Sequence, residues 1–307
     1  MLTFAAKRLL SSVPTLLVLI TLAFFMMRAA PGGPFDRERS VPPEIEAAMK
    51  AAYHLDEPLP SQYLRYMGGL LRGDLGPSFQ YSGFSVRELI AGGFPVSLQL
   101  GFWSILLSVL IGCTAGMLAA LKQNRAADHA LMGVAMAGIS IPSYVIAPLL
   151  MLLFAVRLGW LPAGGWEPGR YADMVMPVLA LAAPQIAYVA RLMRGSMIEV
   201  LRSNFIRTAR AKGLGSTTVL LRHALKPALL PVLSYLGPAA AGVITGSVVI
   251  EQIFDIPGIG RYFVQAALNR DYTLVLGVVS FYGALIVAFN FVVDLLYGAL
   301  DPRVRLQ

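Results

Sequence analysis

The chain is 307 residues long, with 57% hydrophobic residues, 14% charged residues and a mean hydropathy of +0.67. Water-soluble folds of one or two domains seldom read this way, and polytopic membrane proteins do. A net charge of +8 would suit a polyanion such as nucleic acid, but the charges separate by position once the apolar runs are placed, so they report topology and no nucleic-acid partner is expected.

A spanning helix needs roughly 20 mostly apolar residues. Six runs meet that length, at about 9–29, 95–121, 128–156, 174–191, 227–250 and 274–300. The predicted fold class is therefore all-α and integral to the membrane, with six transmembrane helices. An even number puts both termini on one side. The first run follows Lys7 and Arg8 and has the look of a signal peptide, but Arg28 and five later runs argue for a retained anchor. The chain divides into an N-terminal transmembrane helix (1–30), a periplasmic segment (31–94) and a transmembrane domain (95–307) that carries a cytoplasmic loop at 191–226.

The segment 31–94 is the most soluble-looking part. Pro42-Pro43 precedes a predicted helix over 44–53, and Gly68-Gly69, Gly73 and Gly76-Pro77 punctuate its second half. The second outer segment, 157–173, carries Trp160, Trp166 and Tyr171 among turn residues, which suits a membrane-water interface. The third, 251–272, contains a turn at Pro257-Gly258 and then a short predicted helix over 262–268.

With the amino terminus inside, the inner segments hold 14 bases against three acids, and the outer segments hold 11 bases and 13 acids. Eight of the inner bases fall within 191–226, with Glu199 as the one acid there. This is the asymmetry expected of cytoplasmic segments, so both termini are assigned to the cytoplasm. Within the loop, Ser203 or Asn204 is a suitable N-cap, 205–212 reads as a two-turn helix, and Gly213 as its stop. Ser216 can cap a second short helix running to Lys226, before Pro227 opens the fifth span.

Chemistry of the enzymatic kind finds no support. Cys113 is the single cysteine, and His54, His129 and His223 are scattered, so no metal or cofactor site is expected. No Gly-Lys pair occurs, which removes the phosphate cradle of an ATPase, and neither G-x-S-x-G nor H-E-x-x-H is present. Sparse polar residues lie inside the spans, among them Gln185, Tyr188, Tyr235, Tyr282, Thr245, Ser247 and Asn290. Asp294 is read as the one acid within a span, near enough to the inner end for Arg303 or Arg305 to reach it. Thr245, Ser247, Asn290 and Asp294 are the candidate pathway or gating residues. Pro142, Pro148, Pro177, Pro184 and Pro238 each remove a backbone donor and mark helices that are bundled or line a cavity.

The run Thr208-Ala209-Arg210-Ala211-Lys212-Gly213, with Pro227 and Pro231 after it, resembles the cytoplasmic EAA loop of ABC importer permeases. Arg207 stands where the general motif has its Glu, and the spacing from Gly213 to Pro227 is one residue longer than usual. The resemblance extends through His54-Leu55-Asp56-Glu57-Pro58, Gly73-Asp74-Leu75-Gly76 and Arg222-His223-Ala224-Leu225-Lys226-Pro227, and is strongest to the B-type permeases of oligopeptide importers within the peptide and nickel group. It implies a type I importer fold in the bacterial inner membrane and a coupling helix that docks on an ATPase through Phe205, Arg207, Thr208, Ala209, Arg210, Ala211, Lys212 and Gly213. The implied partners are a C-type permease, two ATP-binding subunits and an extracytoplasmic peptide-binding protein, with a peptide as cargo and the lipid bilayer as solvent. Related permeases carry dipeptides, nickel chelates or glycans. An ion-coupled secondary transporter is the alternative of a different class, and would need a coupling-ion site and internal repeats that are not evident.

Overall fold

Long apolar runs in a solvent that cannot hydrogen-bond must satisfy their own backbone, and helices do so within a single segment. The computed structural model describes residues 2–29, 44, 47, 50–51 and 53–300, and these are helical with turns between them and one isolated bridge, Pro77 with Ser85. The helices are α1 (Leu2–Ala29), α2 (Leu59–Leu71), α3 (Val86–Leu121), α4 (Ala126–Ser140), α5 (Ser143–Leu150), α6 (Ala172–Leu201), α7 (Asn204–Ala211), α8 (Leu230–Gly246), α9 (Val248–Ile253), α10 (Ile259–Leu268) and α11 (Tyr272–Leu300). Five stretches are long and apolar enough to cross a membrane, and a bent pair, 126–140 with 143–157, makes a sixth if it is counted as one span. Half of the predicted helix over 44–53 lies outside the described residues, with Glu44, Ala47, Lys50 and Ala51 helical among the rest, and Arg303 and Arg305, the expected partners of Asp294, lie wholly outside them.

The span expected at 128–156 is two helices meeting at 101°. Ile141 is extended (φ −99°, ψ 118°) because the ring of the following Pro142 disfavours the α conformation before it, so α4 ends there and α5 restarts in a new direction. Pro148 sits inside α5, and the turns beyond it widen into a π-helical stretch at Met151–Arg157. Pro177, Pro184 and Pro238 are accommodated inside α6 and α8 without a break.

The helix expected from 95 begins at Val86, nine residues earlier. Ser85 and Glu88 form a capping box: the Glu88 amide donates to Ser85 Oγ (3.2 Å) and the Ser85 amide donates to Glu88 Oε2 (2.8 Å). Likewise, the apolar run ending near 191 continues as helix to Leu201. It becomes amphipathic there, burying Met193 and Met197 while Arg191 and Glu199 stay exposed.

α3 and α6 form the central pair. α3 presents a small residue about every fourth position: Gly93, Ser97, Gly101, Ser104, Ser108, Gly112 and Gly116 are all buried. Among lipid tails there is no hydrophobic drive for helix association, so close backbone approach and dispersion hold such pairs together. At Gly112 an added Cβ would lie 2.7 Å from Val189, and at Gly116 it would meet the Ala190 carbonyl and lie 2.8 Å from Met193 Cβ. Ser104 and Ser108 donate to the Leu100 and Ser104 carbonyls of their own helix (2.7 and 2.6 Å), which hides their polarity from the membrane. α11 packs on α8, and α1 lies against α11 at the edge of the bundle.

Candidate functional site

The basic segment opens where α6 ends. Ser203 is extended and holds the N-cap position of α7 as expected, but its hydroxyl donates back to the Val200 carbonyl (2.6 Å) instead of capping. The stop is built as expected. Gly213 takes φ +80°, its amide donates to the Arg210 carbonyl (2.9 Å), and the Leu214 amide donates to the Ala209 carbonyl (3.4 Å). That pair of bonds is a Schellman closure, which needs a residue at positive φ. The second helix is not uniform: Ser216–Thr218 leads into π turns at Val219–Ala224, then Leu225–Ala228.

α7 has two faces. Ile206 and Ala209 are buried against Met193, Met197, Val219 and Ala224, so Ala209 anchors the helix to its own chain. Phe205, Arg207, Thr208, Arg210, Ala211, Lys212 and Gly213 are exposed. The exposed face carries one half-exposed ring and three cations around small residues. Of the predicted coupling residues, the fold brings together all but Ala209 on this outer face.

Two side-chain ties fasten the end of α6 that leads into α7. Arg202 Nη2 donates to Gln123 Oε1 at the end of α3 (3.0 Å). Arg194 on α6 holds Asp128 at the start of α4 with two hydrogen bonds, Nε to Oδ1 at 2.6 Å and Nη2 to Oδ2 at 2.7 Å, and the Asn124 amide adds a third to Oδ2 at 2.8 Å. Asp128 is fully buried. α7 itself joins this end of the bundle by packing, through Ile206 and Ala209 in one cluster with Met193 and Met197 of α6.

The candidate pathway residues do not form one cluster. Thr245 donates to the Ala241 carbonyl in its own helix (2.8 Å), and Asn290 lies where α11 crosses Gly237 of α8. Asp294 is half-buried one turn further on, toward the end of α11 that lies beside the start of α8. A different polar group stands between α6 and α8: Tyr235 donates to Gln185 Oε1 (2.5 Å), its ring lies 5.8 Å from Tyr188, and Arg191 stacks 5.2 Å from the Tyr188 ring centre. Tyr188 and Arg191 are exposed on a spanning helix, which is where a water-lined route would tolerate them.

Glu251 escapes sequence reasoning. Hydropathy puts it at the start of an outer loop, whereas the helix runs on to Ile253 and the side chain is fully buried. Its carboxylate accepts from Ser247 Oγ (2.5 Å), Ser97 Oγ (2.7 Å) and the Gly260 amide (2.8 Å), while Ser97 Oγ accepts from the Ile259 amide (2.9 Å). Glu251 thus caps the start of α10 from another helix and pins it to α3; a Cβ at Gly258 would strike the carboxylate. The predicted Ser247 belongs to this clasp. Asp271 does the same nearby, accepting from the Leu274 amide (3.0 Å), Ser78 Oγ (2.5 Å) and the Gln80 amide (3.0 Å), so one side chain caps α11 and fastens the 76–80 turn. Tyr81 donates to Gln265, and burial pushes its hydroxyl above the usual phenol range, keeping it a donor. The Ser-x-x-Glu cap was readable; partners 154 residues apart for Ser97 and Glu251 were not.

No group of three or more metal-ligating side chains occurs among the described residues. A family profile described as "Binding-protein-dependent transport system inner membrane component" matches residues 112–306, and one described as its membrane component N-terminal part matches residues 1–101. The chain is 56% identical over 305 residues to the oligopeptide transport system permease protein OppB of Escherichia coli (strain K12), covering 99% of this chain and 100% of that one. It is 43% identical over 304 residues to the dipeptide transport system permease protein DppB of Bacillus subtilis, covering 99% and 98%. In three dimensions it is similar to a chain of the inward-facing MetNI methionine ABC transporter, at a TM-score of 0.56 and 17% identity, over 69% of this chain and 96% of that one. Matched along nearly its whole length, the chain belongs to the binding-protein-dependent transport system inner membrane components, the non-catalytic, multi-pass permeases of ABC importers.

Proposed function

We propose that this chain forms half of the translocation pathway of an ATP-driven oligopeptide importer and converts closure of its ATPases into alternating access. In this reading the bent pair counts as one span, giving six spans with both termini cytoplasmic, and the charge sorting of the inner segments supports that orientation. The partners are a second, C-type permease, two ATP-binding subunits and an extracytoplasmic peptide-binding protein that delivers cargo at the outer segments 31–94 and 251–272. The relatives at 55–56% identity carry an oligopeptide name and those at 40–43% a dipeptide name, which favours the longer cargo.

The observation that carries the coupling role is the exposed face of α7, held rigid by Ile206, Ala209 and the Schellman closure while Phe205, Arg207, Thr208, Arg210, Ala211, Lys212 and Gly213 stay accessible. Three cations there call for an acidic groove on the ATPase. Gln185, Tyr188, Arg191 and Tyr235 are proposed to line the route, with Thr245, Ser247, Asn290 and Asp294 acting at its outer and inner ends.

The test is reconstitution of the full complex in liposomes. Peptide uptake should require ATP and fall when Phe205 and Arg207 are replaced. Uptake that follows a proton gradient without ATP would reassign the chain to ion-coupled transport, and preferential uptake of dipeptides or nickel chelates would revise the cargo.

A further inference from the structure

At the end of the molecule opposite the basic segment, α1, α2, the start of α11 and the turns at 53–55 and 72–79 line a half-open cavity of about 580 Å³. Its polar group of note is Arg28, in the last turn of α1. The guanidinium sits between two buried rings, 5.5 Å from the Phe24 centre and 5.3 Å from the Tyr272 centre. Its Nε is buried, yet makes no hydrogen bond among the described residues. A buried donor of that kind costs stability unless something accepts from it. Gln62, only 7% exposed, also lines the cavity; its Nε2 donates to the Leu55 and Glu57 carbonyls, and its Oε1 is left without a partner.

Charge and depth narrow the occupant. Among the described lining residues the cations Arg28, Arg65 and Arg72 face one carboxylate, Asp74, which accepts from the Gly76 amide; Arg65 is paired with Glu57. The rest of the wall is largely aromatic or aliphatic, including Phe24, Tyr66, Leu64 and Leu276. Arg28 closes the 20-residue apolar stretch Leu10–Ala29, so the cavity lies where an apolar span meets the headgroup layer. An anion carrying an apolar body fits both requirements: its charged oxygens meet the Arg28 donor and its chains lie along the aromatic wall.

We propose that this cavity binds the phosphate of an anionic phospholipid, with Arg28 as the principal donor and Arg72 at the rim. Guanidinium is the group suited to this task, because its planar fork pairs phosphate oxygens while its face stacks on aromatic rings. Occupancy would tie α1 to α11 and α2, and so fix the amino-terminal span to the bundle from the lipid side.

The test uses the full chain co-purified with its partner subunits, exchanged into phosphatidylglycerol or phosphatidylethanolamine, with bound lipid counted by native mass spectrometry. Phosphatidylglycerol should be retained in preference, and Arg28→Gln should lower its retention about tenfold, the loss expected for one charge-assisted hydrogen bond. A second variant does not depend on the guanidinium. Gly68 lines the cavity, and an added Cβ there meets nothing within 4 Å, so Gly68→Leu starts from open space and should evict the same lipid while leaving the melting temperature of delipidated protein in place. Arg157→Gln, on a different outer segment, should change nothing. Equal retention by the wild type and both cavity variants would overturn the proposal. So would Arg28-dependent binding of inorganic phosphate without lipid preference, or displacement of the lipid by a tripeptide, which would make the cavity a cargo site.

Discussion

Arg194 and Asp128 face each other across two helices, joined by parallel hydrogen bonds of 2.6 and 2.7 Å, with the carboxylate fully buried and the guanidinium about a quarter exposed. The pair ties α6 to the start of α4, and the neighbouring Met193 packs in one cluster with Ile206 and Ala209 of α7.

Breaking that pair from the arginine side leaves a buried carboxylate with only the Asn124 amide. Arg194→Ala should destabilise the permease by about 3 kcal/mol, the lower part of the range for buried pairs because Arg194 keeps some solvent. Asp128→Asn, which retains hydrogen bonding without the charge, should cost less. Thermal melting of the purified complex reads both; equal losses for the two variants would contradict the assignment of a buried charge.

The two faces of α7 should separate in experiment. Ile206→Ala empties core space and should lower stability by about 2–5 kcal/mol, seen as a reduced melting temperature. Phe205→Ala and Arg207→Glu alter the exposed face, so they should leave melting within about 0.5 kcal/mol while reducing ATP-dependent uptake and ATPase association. Loss of uptake by Ile206→Ala alone would move the docking surface to the other side of the helix.

Gly213 tests backbone conformation in isolation. An added Cβ meets nothing within 4 Å, so Gly213→Ala changes only the cost of holding φ +80°, about 1–2 kcal/mol. Gly213→Asn should recover most of that. Hydrogen exchange of the Gly213 and Leu214 amides should accelerate in the alanine variant and stay slow in the asparagine one.

At the outer end, Glu251→Ala removes the acceptor of three hydrogen bonds and strands Ser97 Oγ and the Gly260 amide in a buried place, each worth about 1–3 kcal/mol, while Ser247 Oγ keeps the Ile244 carbonyl (2.9 Å) as an acceptor. The expected result is faster exchange and proteolysis across α10, with α7 unaffected. Glu251→Gln keeps an acceptor oxygen and should be milder.

The central helix pair admits a steric test. Gly116→Leu should prevent α3 from seating against Ala190 and Met193 and should abolish assembly, whereas Gly195→Ala, where an added Cβ meets nothing within 4 Å, should be silent. Comparable loss for both would show that close approach at Gly116 is not what seats α3 on α6.

Much of this was present in the chain itself. A bilayer admits helices that satisfy their own backbone, so uninterrupted apolar runs announced the spans, and local chemistry set several ends: Gly213 could stop α7, and Ser85 with Glu88 could start α3. The family was legible too, through the motif around Thr208 and Gly213. What composition could not convey was direction and pairing. The 101° turn at Pro142 depends on which way α5 leaves α4 to pack on α6, and the burial of Ile206 and Ala209 depends on Met193 and Met197 from another helix. Glu251 looked like a loop residue because its three donors come from Ser97, Ser247 and Gly260, and the partner of Asp128, Arg194, is 66 residues away. Periodicity and hydropathy are local properties and choose helices. The neutralisation of a buried charge requires a partner brought close by the fold, and that only the tertiary structure decides.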